Sequence, residues 1–217
     1  GIYPQQYADW IAGGKKPLDI KNYSSTIAYD AESQTYNIGS AQGLKDAIPF
    51  AMVGGYNFRL SSNIDLSSDE GFSFPILASS FDGAGHTVSN LKINSPTLDN
   101  QGFFGQAYND AGIKNLNLTN VDITGRDYVG GLVGSIFGSI EKVVVSGKIQ
   151  GRGYVGGITG YQWGHVSQTA TFGSVTGSYY VGWVTGGIDT DGELIFLDNS
   201  YSASDVSGDS GVGGLLG

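Results

Sequence analysis

The chain has 217 residues, with 36 Gly, 5 Pro, 13 Tyr, 10 Phe, no Cys and a formal net charge of −9. Gly without a Gly-X-Y period excludes collagen, the apolar and aromatic content excludes a disordered chain, and the acidic balance argues against nucleic acid as a partner. Without cysteine there is neither a disulfide nor a thiolate metal site. No apolar run approaches the ~18 residues of a spanning helix, so direct membrane insertion is not expected.

The chain opens on Gly1 without an initiator Met, which reads as a product excised from something longer. Residues 1–70 carry no repeat and are expected to form a capping segment with two short helices and some strands. Pro4 to Ala12 reads as the first helix, with Tyr3, Tyr7 and Trp10 near one face and Gly13-Gly14 ending it. Tyr29 to Gln34 looks like a turn before a strand at Thr35 to Ile38. Ser40 should cap a second helix from Ala41 to about Met52, with Leu44, Ala47 and Ile48 on one side and Pro49 shortening it. Tyr56 to Ile64 then alternates like a strand.

From residue 71 to 217 the pattern becomes periodic. Gly102-Phe103-Phe104-Gly105, Gly131-Leu132-Val133-Gly134, Gly157-Ile158-Thr159-Gly160, a degenerate Trp183-Val184-Thr185-Gly186 and Gly214-Leu215-Leu216-Gly217 begin 29, 26, 26 and 31 positions apart. A second strand follows each of the first four copies, with Ile113, Leu116, Leu118; Ile140, Val143, Val145; Val166, Thr169, Thr171; and Leu197, Ser200, Ser202 in matching positions. Val88, Leu91 and Ile93 look like the same element in an imperfect first repeat. A third short strand ends in Gly at Ile123, Ile149, Val175 and Val206, at steps of 10, 9, 9 and 9 from the start of the second. Three strands and three corners per repeat describe a coil. A single turn cannot bury its own inward face, so turns must stack and pair in parallel. Gly is expected at corners that need positive φ. The Thr and Ser levels near the C-terminus either thin the core or point outward. A parallel coil has two open ends. The cap covers the first, and because the sequence stops within a repeat, a longer array is expected to continue.

The run Phe81-Asp82-Gly83-Ala84-Gly85-His86-Thr87-Val88-Ser89-Asn90-Leu91 resembles the lead-in to bacterial GLUG repeats. So do Tyr128-Val129-Gly130-Gly131-Leu132-Val133-Gly134 and Tyr154-Val155-Gly156-Gly157. The resemblance covers roughly residues 36–217. It implies an all-β, right-handed parallel β-helix of the kind carried by large secreted or surface proteins. Among these are filamentous-haemagglutinin-like adhesins of two-partner secretion and IgA-cleaving metallopeptidases. The opening Tyr3-Pro4-Gln5-Gln6-Tyr7-Ala8-Asp9-Trp10 favours the adhesin group. Read this way, the chain is a non-catalytic segment of a bacterial cell-surface polypeptide. Its partners would be the remainder of that polypeptide and a host-cell or matrix glycan or protein receptor.

Catalytic residues are not expected. The two histidines, His86 and His165, are 79 positions apart, and neither begins an HExxH motif. Asp189, Asp191 and Glu193, in the long turn after Trp183, are the best acidic cluster. They are a candidate Ca²⁺ site, since that ion takes several oxygen ligands, or simply a solvated loop. A polysaccharide-active β-helix enzyme would need a carboxylate groove converging there; an accessory module of an IgA-type metallopeptidase is the other alternative. Tyr128, Tyr154 and either Tyr179 or Tyr180 share one phase and should stack as a ladder. Tyr161, Trp163, Trp183 and Tyr180 are the candidate ligand-binding residues, because aromatic side chains offer area at low entropic cost.

Overall fold

The computed structural model describes residues 19–189 and 197–217. The expected helix at Pro4 to Ala12 lies outside them, as do Asp191 and Glu193. The rest is a β-solenoid of about six turns whose strands stack in parallel on three sheets. In-register columns run the length of the first sheet. One is Tyr36, Phe58, Phe81, Ile113, Ile140, Val166, Leu197; another is Ile64, Val88, Leu118, Val145, Thr171, Ser202; a third is Ile93, Ile123, Ile149, Val175, Val206. The second sheet stacks Phe74, Phe104, Val133, Thr159 and Thr185, and the third Val129, Val155, Val181 and Val212. Strand alternation turns each column inward, so the core is a row of like side chains along the axis. It is richest at Phe74, Phe81, Phe103 and Phe104, all at most 1% exposed.

Two details of register differ from the sequence reading. The first repeat is shifted: Phe81, not Val88, pairs with Ile113, while Val88 pairs with Leu118 and Ile93 with Ile123. The cause is the turn at Gly83-Ala84-Gly85, where Ala84 and Gly85 have φ of 53° and 81° and take up the extra residues. The step of 10 instead of 9 in the next repeat is a bulge between Leu118 and Val121, where Asn120 has φ 54°.

The parallel ladder also reaches upstream of residue 71. Thr35–Ile38 pairs with Asn57–Leu60, which pairs with Ser80–Asp82. Ile27–Asp30, which shows no strand period in the sequence, closes that ladder as an antiparallel hairpin with Thr35–Ile38. The helix Ala41–Ala51 is N-capped by Ser40, whose hydroxyl accepts from Gly43 N at 3.1 Å. It buries Leu44, Ala47 and Ala51 and packs on Phe74–Leu77, the outermost strand of the second sheet. That edge is therefore covered.

Glycine has the expected positive φ at some turns, among them Gly71, Gly85 and Gly211, but not at the repeated Gly-Gly corner. Gly131 and Gly157 do not have positive φ. They are glycine because the next turn is too close: a Cβ on Gly131 would lie 2.4 Å from the Gly157 carbonyl oxygen, and one on Gly157 2.2 Å from that of Trp183. The left-handed backbone at the neighbouring corner is instead carried by Tyr128, Tyr154 and Tyr180, at φ 57°, 52° and 53°. Toward the C-terminus the core does thin. Thr169 and Thr171 are 2% exposed and face Ser200 and Ser202 through hydroxyl hydrogen bonds of 2.9 and 2.8 Å.

Candidate functional site: an aromatic corner

The corner where third-sheet strands lie against the second-sheet strands of the next turn collects most of the half-exposed aromatic rings among the described residues. Tyr128, Tyr154 and Tyr180 occupy the same place in successive turns. Their rings are stacked, with centroids 5.0 and 4.7 Å apart and planes within 9° and 13°. Tyr180 is thus the third rung, and Tyr179 stands edge-on to it at 5.7 Å. Asn100 precedes the series and Gly211 ends it, with φ of 55° and 57°. Asn and Gly take this conformation readily, whereas another side chain pays roughly 1–2 kcal/mol. Three tyrosines here are not a backbone requirement; the stack must offset that strain, at about 0.5–1.5 kcal/mol per ring pair beyond burial.

Tyr161, one strand on, packs edge-on against Tyr128 and Tyr154 at 5.8 and 5.2 Å. It also lies 4.3 Å from Trp163. Trp163 stacks on Phe137 at 4.4 Å and 6°, and Phe137 meets Tyr108 at 6.3 Å. The Trp163 indole Nε1 donates to Asp189 Oδ2 at 2.7 Å. Three of the four expected ligand-binding residues, Tyr161, Trp163 and Tyr180, are therefore joined in one patch. Trp183 is placed elsewhere. It sits in the column of Gly131 and Gly157, where a Cβ would meet the core side chains of Val145 and Thr171, and its indole N–H is buried.

Because the stacked faces lie against one another along the axis, the patch presents mainly ring edges and phenol hydroxyls. It suits hydrogen bonding and edge contact better than flat stacking of a sugar chain. Burial pushes the Tyr154 phenol above its usual range, and the surrounding tyrosines add to this. The rim is charged and fixed. Arg126 grips Asp99 through two bonds of 2.7 Å, and Arg152 holds Asp127 in the same two-pronged way one turn later. The Tyr179 hydroxyl donates to Asp127 at 3.3 Å. The Arg126 contact holds the Asp99 carboxyl below its ordinary range, and Asp127 raises the Arg152 guanidinium.

Sequence reasoning missed Phe137, Tyr108 and these ion pairs. The signal was present: Phe137 and Trp163 are one 26-residue period apart, and each Arg–Asp pair is close to one. Asp189, the described member of the expected Ca²⁺ cluster, serves as the Trp163 acceptor; Asp191 and Glu193 lie outside the described residues. Among the described residues, no three His, Cys, Asp or Glu side chains gather as a metal site.

No protein-family model matches the chain. It is 31% identical over 132 residues to halomucin of Haloquadratum walsbyi, a match covering 52% of this chain and 1% of halomucin. The chain thus spans only a small fraction of the curated relative it matches. The crystal structure of a putative immunoglobulin A1 protease from Bacteroides ovatus superposes with a TM-score of 0.56 at 17% identity, over 85% of this chain and 68% of that one. At that identity the likeness is one of fold. The chain is a parallel β-solenoid that resembles a stretch of a very long protein.

Proposed function

We propose that this chain is a non-catalytic display segment of a large secreted or cell-surface protein, and that its aromatic corner attaches to a glycan or protein receptor. The observation that carries the reading is the patch itself. Tyr128, Tyr154, Tyr161, Trp163 and Phe137 remain half-exposed on a rigid scaffold, and Tyr128 and Tyr154 stand at left-handed positions where backbone geometry alone favours smaller residues. Stacked aromatic rings also stabilise solenoid corners, but Tyr and Trp are enriched at contact hot spots, which supports attachment here. The similarity to halomucin supports membership of a much longer polypeptide, and its name supports a mucin-like, extracellular setting. The adhesin reading draws its support from these together.

The test is binding of the purified chain to a glycan array and to a panel of matrix and cell-surface proteins, alongside a Tyr161→Ala/Trp163→Ala double variant. Attachment through the corner predicts at least one saturable ligand and a loss of about tenfold or more in the variant. Failure of the wild-type chain on both panels would remove the attachment role and leave a spacer.

A further inference from the structure

The tyrosine stack ends at Tyr180 because of one residue. The register pairs Tyr179 with Ser210 and Val181 with Val212, which places Gly211 opposite Tyr180 in the next turn. Gly211 has φ 57°, the same backbone as Tyr128, Tyr154 and Tyr180. A ring at this position would continue the stack; glycine leaves a gap one ring thick. Tyr180 is accordingly 46% exposed, with one face on Tyr154 and the other open. The gap is set by Gly211.

The charge around the gap differs from that of the earlier turns. Arg126, Arg152, Ser178 and Asp209 follow one another up a single column, each donating its backbone N–H to the carbonyl of the one before. The first two present guanidinium groups to Asp99 and Asp127. The last turn presents a carboxylate instead, two residues before Gly211. Asp209 and the nearby Asp205 are exposed and, among the described residues, form no ion pair.

We propose that the open face of Tyr180 over Gly211 is a binding slot for a planar cation, the guanidinium of an arginine on a partner polypeptide. The face of a phenol ring is electron-rich and attracts cations. A guanidinium is flat, weakly hydrated and able to stack while its edge hydrogen-bonds a carboxylate, which Asp209 supplies. An ammonium is compact and strongly hydrated and fits neither requirement. A neutral ring matches the gap in thickness but gains nothing from Asp209, and the net charge of −9 repels anions. The slot shares the tyrosine stack with the attachment patch but does not depend on the attachment reading: it would bind even if Tyr161 and Trp163 bind nothing.

The test is a titration of the chain, isotope-labelled on its tyrosine rings, with tri-arginine, tri-lysine and a neutral methyl glucoside, followed by ring resonances. Tri-arginine should move the Tyr180 signals, and tri-lysine at equal concentration should move them several-fold less. Asp209→Asn should weaken tri-arginine by roughly two- to fivefold at low salt, the range of one exposed cation–π or ion-pair contact. Gly211→Tyr should fill the slot and abolish the response: three tyrosines already take this backbone, and a Cβ here, 3.2 Å from Tyr180 Cδ1, requires only a small shift of that ring. If that variant does not fold, Gly211→Asn serves instead, because Asn takes this backbone at Asn100 in an earlier turn and leaves the Tyr180 signal in place. Equal shifts by tri-lysine, saturation by the glucoside, no movement at Tyr180, or a response that survives Gly211→Tyr would each overturn the proposal.

Discussion

The corner glycines make a sharp prediction, and Gly157→Ala is its best case. The new Cβ would lie 2.2 Å from Trp183 O and 2.7 Å from Thr171 Cγ2, the first a backbone atom and both inside the contact range that real Cβ atoms respect. Relief requires this corner to separate from the next. Gly157 N donates to Trp183 O at 2.8 Å, and Ile158 N to Val184 O at 3.0 Å. Losing two such bonds at about 1 kcal/mol each, with some packing around Ile158 and Val184, gives a cost of roughly 2–4 kcal/mol. For a chain of this size that lowers the melting midpoint by about 5–15 °C. The control is Gly85→Ala. Its φ is +81° and a Cβ there meets nothing within 4 Å, so only the left-handed strain of roughly 1–2 kcal/mol applies. Denaturant titration followed by tryptophan fluorescence and far-ultraviolet circular dichroism separates them further. With Trp10 replaced by Phe, the remaining Trp163 and Trp183 report the C-terminal turns, and a solenoid loses turns by neighbour. Gly157→Ala should therefore show an earlier fluorescence transition than dichroism transition. If it costs no more than Gly85→Ala, close approach is not what fixes these glycines.

Phe104→Ala should destabilise the solenoid by about 3–5 kcal/mol, because its ring is fully buried and packed on Phe74, Phe81 and Phe103; calorimetry or urea titration reads the loss. Acid should weaken the fold through Asp46 and Asp99. Hydrogen bonds from Thr26 lower the Asp46 carboxyl and those from Arg126 lower Asp99, each below the ordinary value of 3.8. Their stabilisation is complete above that value and is lost as pH falls below it through the depressed folded values. Midpoints measured between pH 7 and pH 2 should be level at first and then drop, with a shallower drop in Asp46→Asn.

The columns of the coil were legible because the apolar positions recur at steps of 9 or 10 within a turn and about 26 between turns, and inward-facing strands have little freedom in residue type. The imperfect first repeat was not. Val88, Leu91 and Ile93 copy the spacing of Ile113, Leu116 and Leu118, yet the left-handed turn at Ala84-Gly85 moves the register; spacing alone cannot tell an insertion from a missing strand. Ile27–Asp30 was invisible for another reason. It is a hairpin edge with only Ile27 buried, and a strand exposed on three of four residues carries no period. The tyrosine ladder was readable from phase, but its meeting with Phe137 and Trp163 depends on a fold of the chain around a corner. The split of Trp183 from that group likewise follows from which way a corner residue points, a matter of three-dimensional direction that repeat spacing does not encode.

In the solenoid the hydrogen bonds of the ladder run from turn to turn, along the axis, while the covalent chain runs around it. Tension applied along the axis therefore meets the weak bonds head-on and can open them one turn at a time instead of shearing a whole sheet at once. A turn that occupies about 4.8 Å of axis releases roughly 90 Å of extended chain from its 26 residues. Each turn acts as a stored length, paid out under load and recoilable when the load falls. On the proposed reading as a display segment of a long secreted or surface protein, the repeat would be an extensible tether as well as a rigid surface.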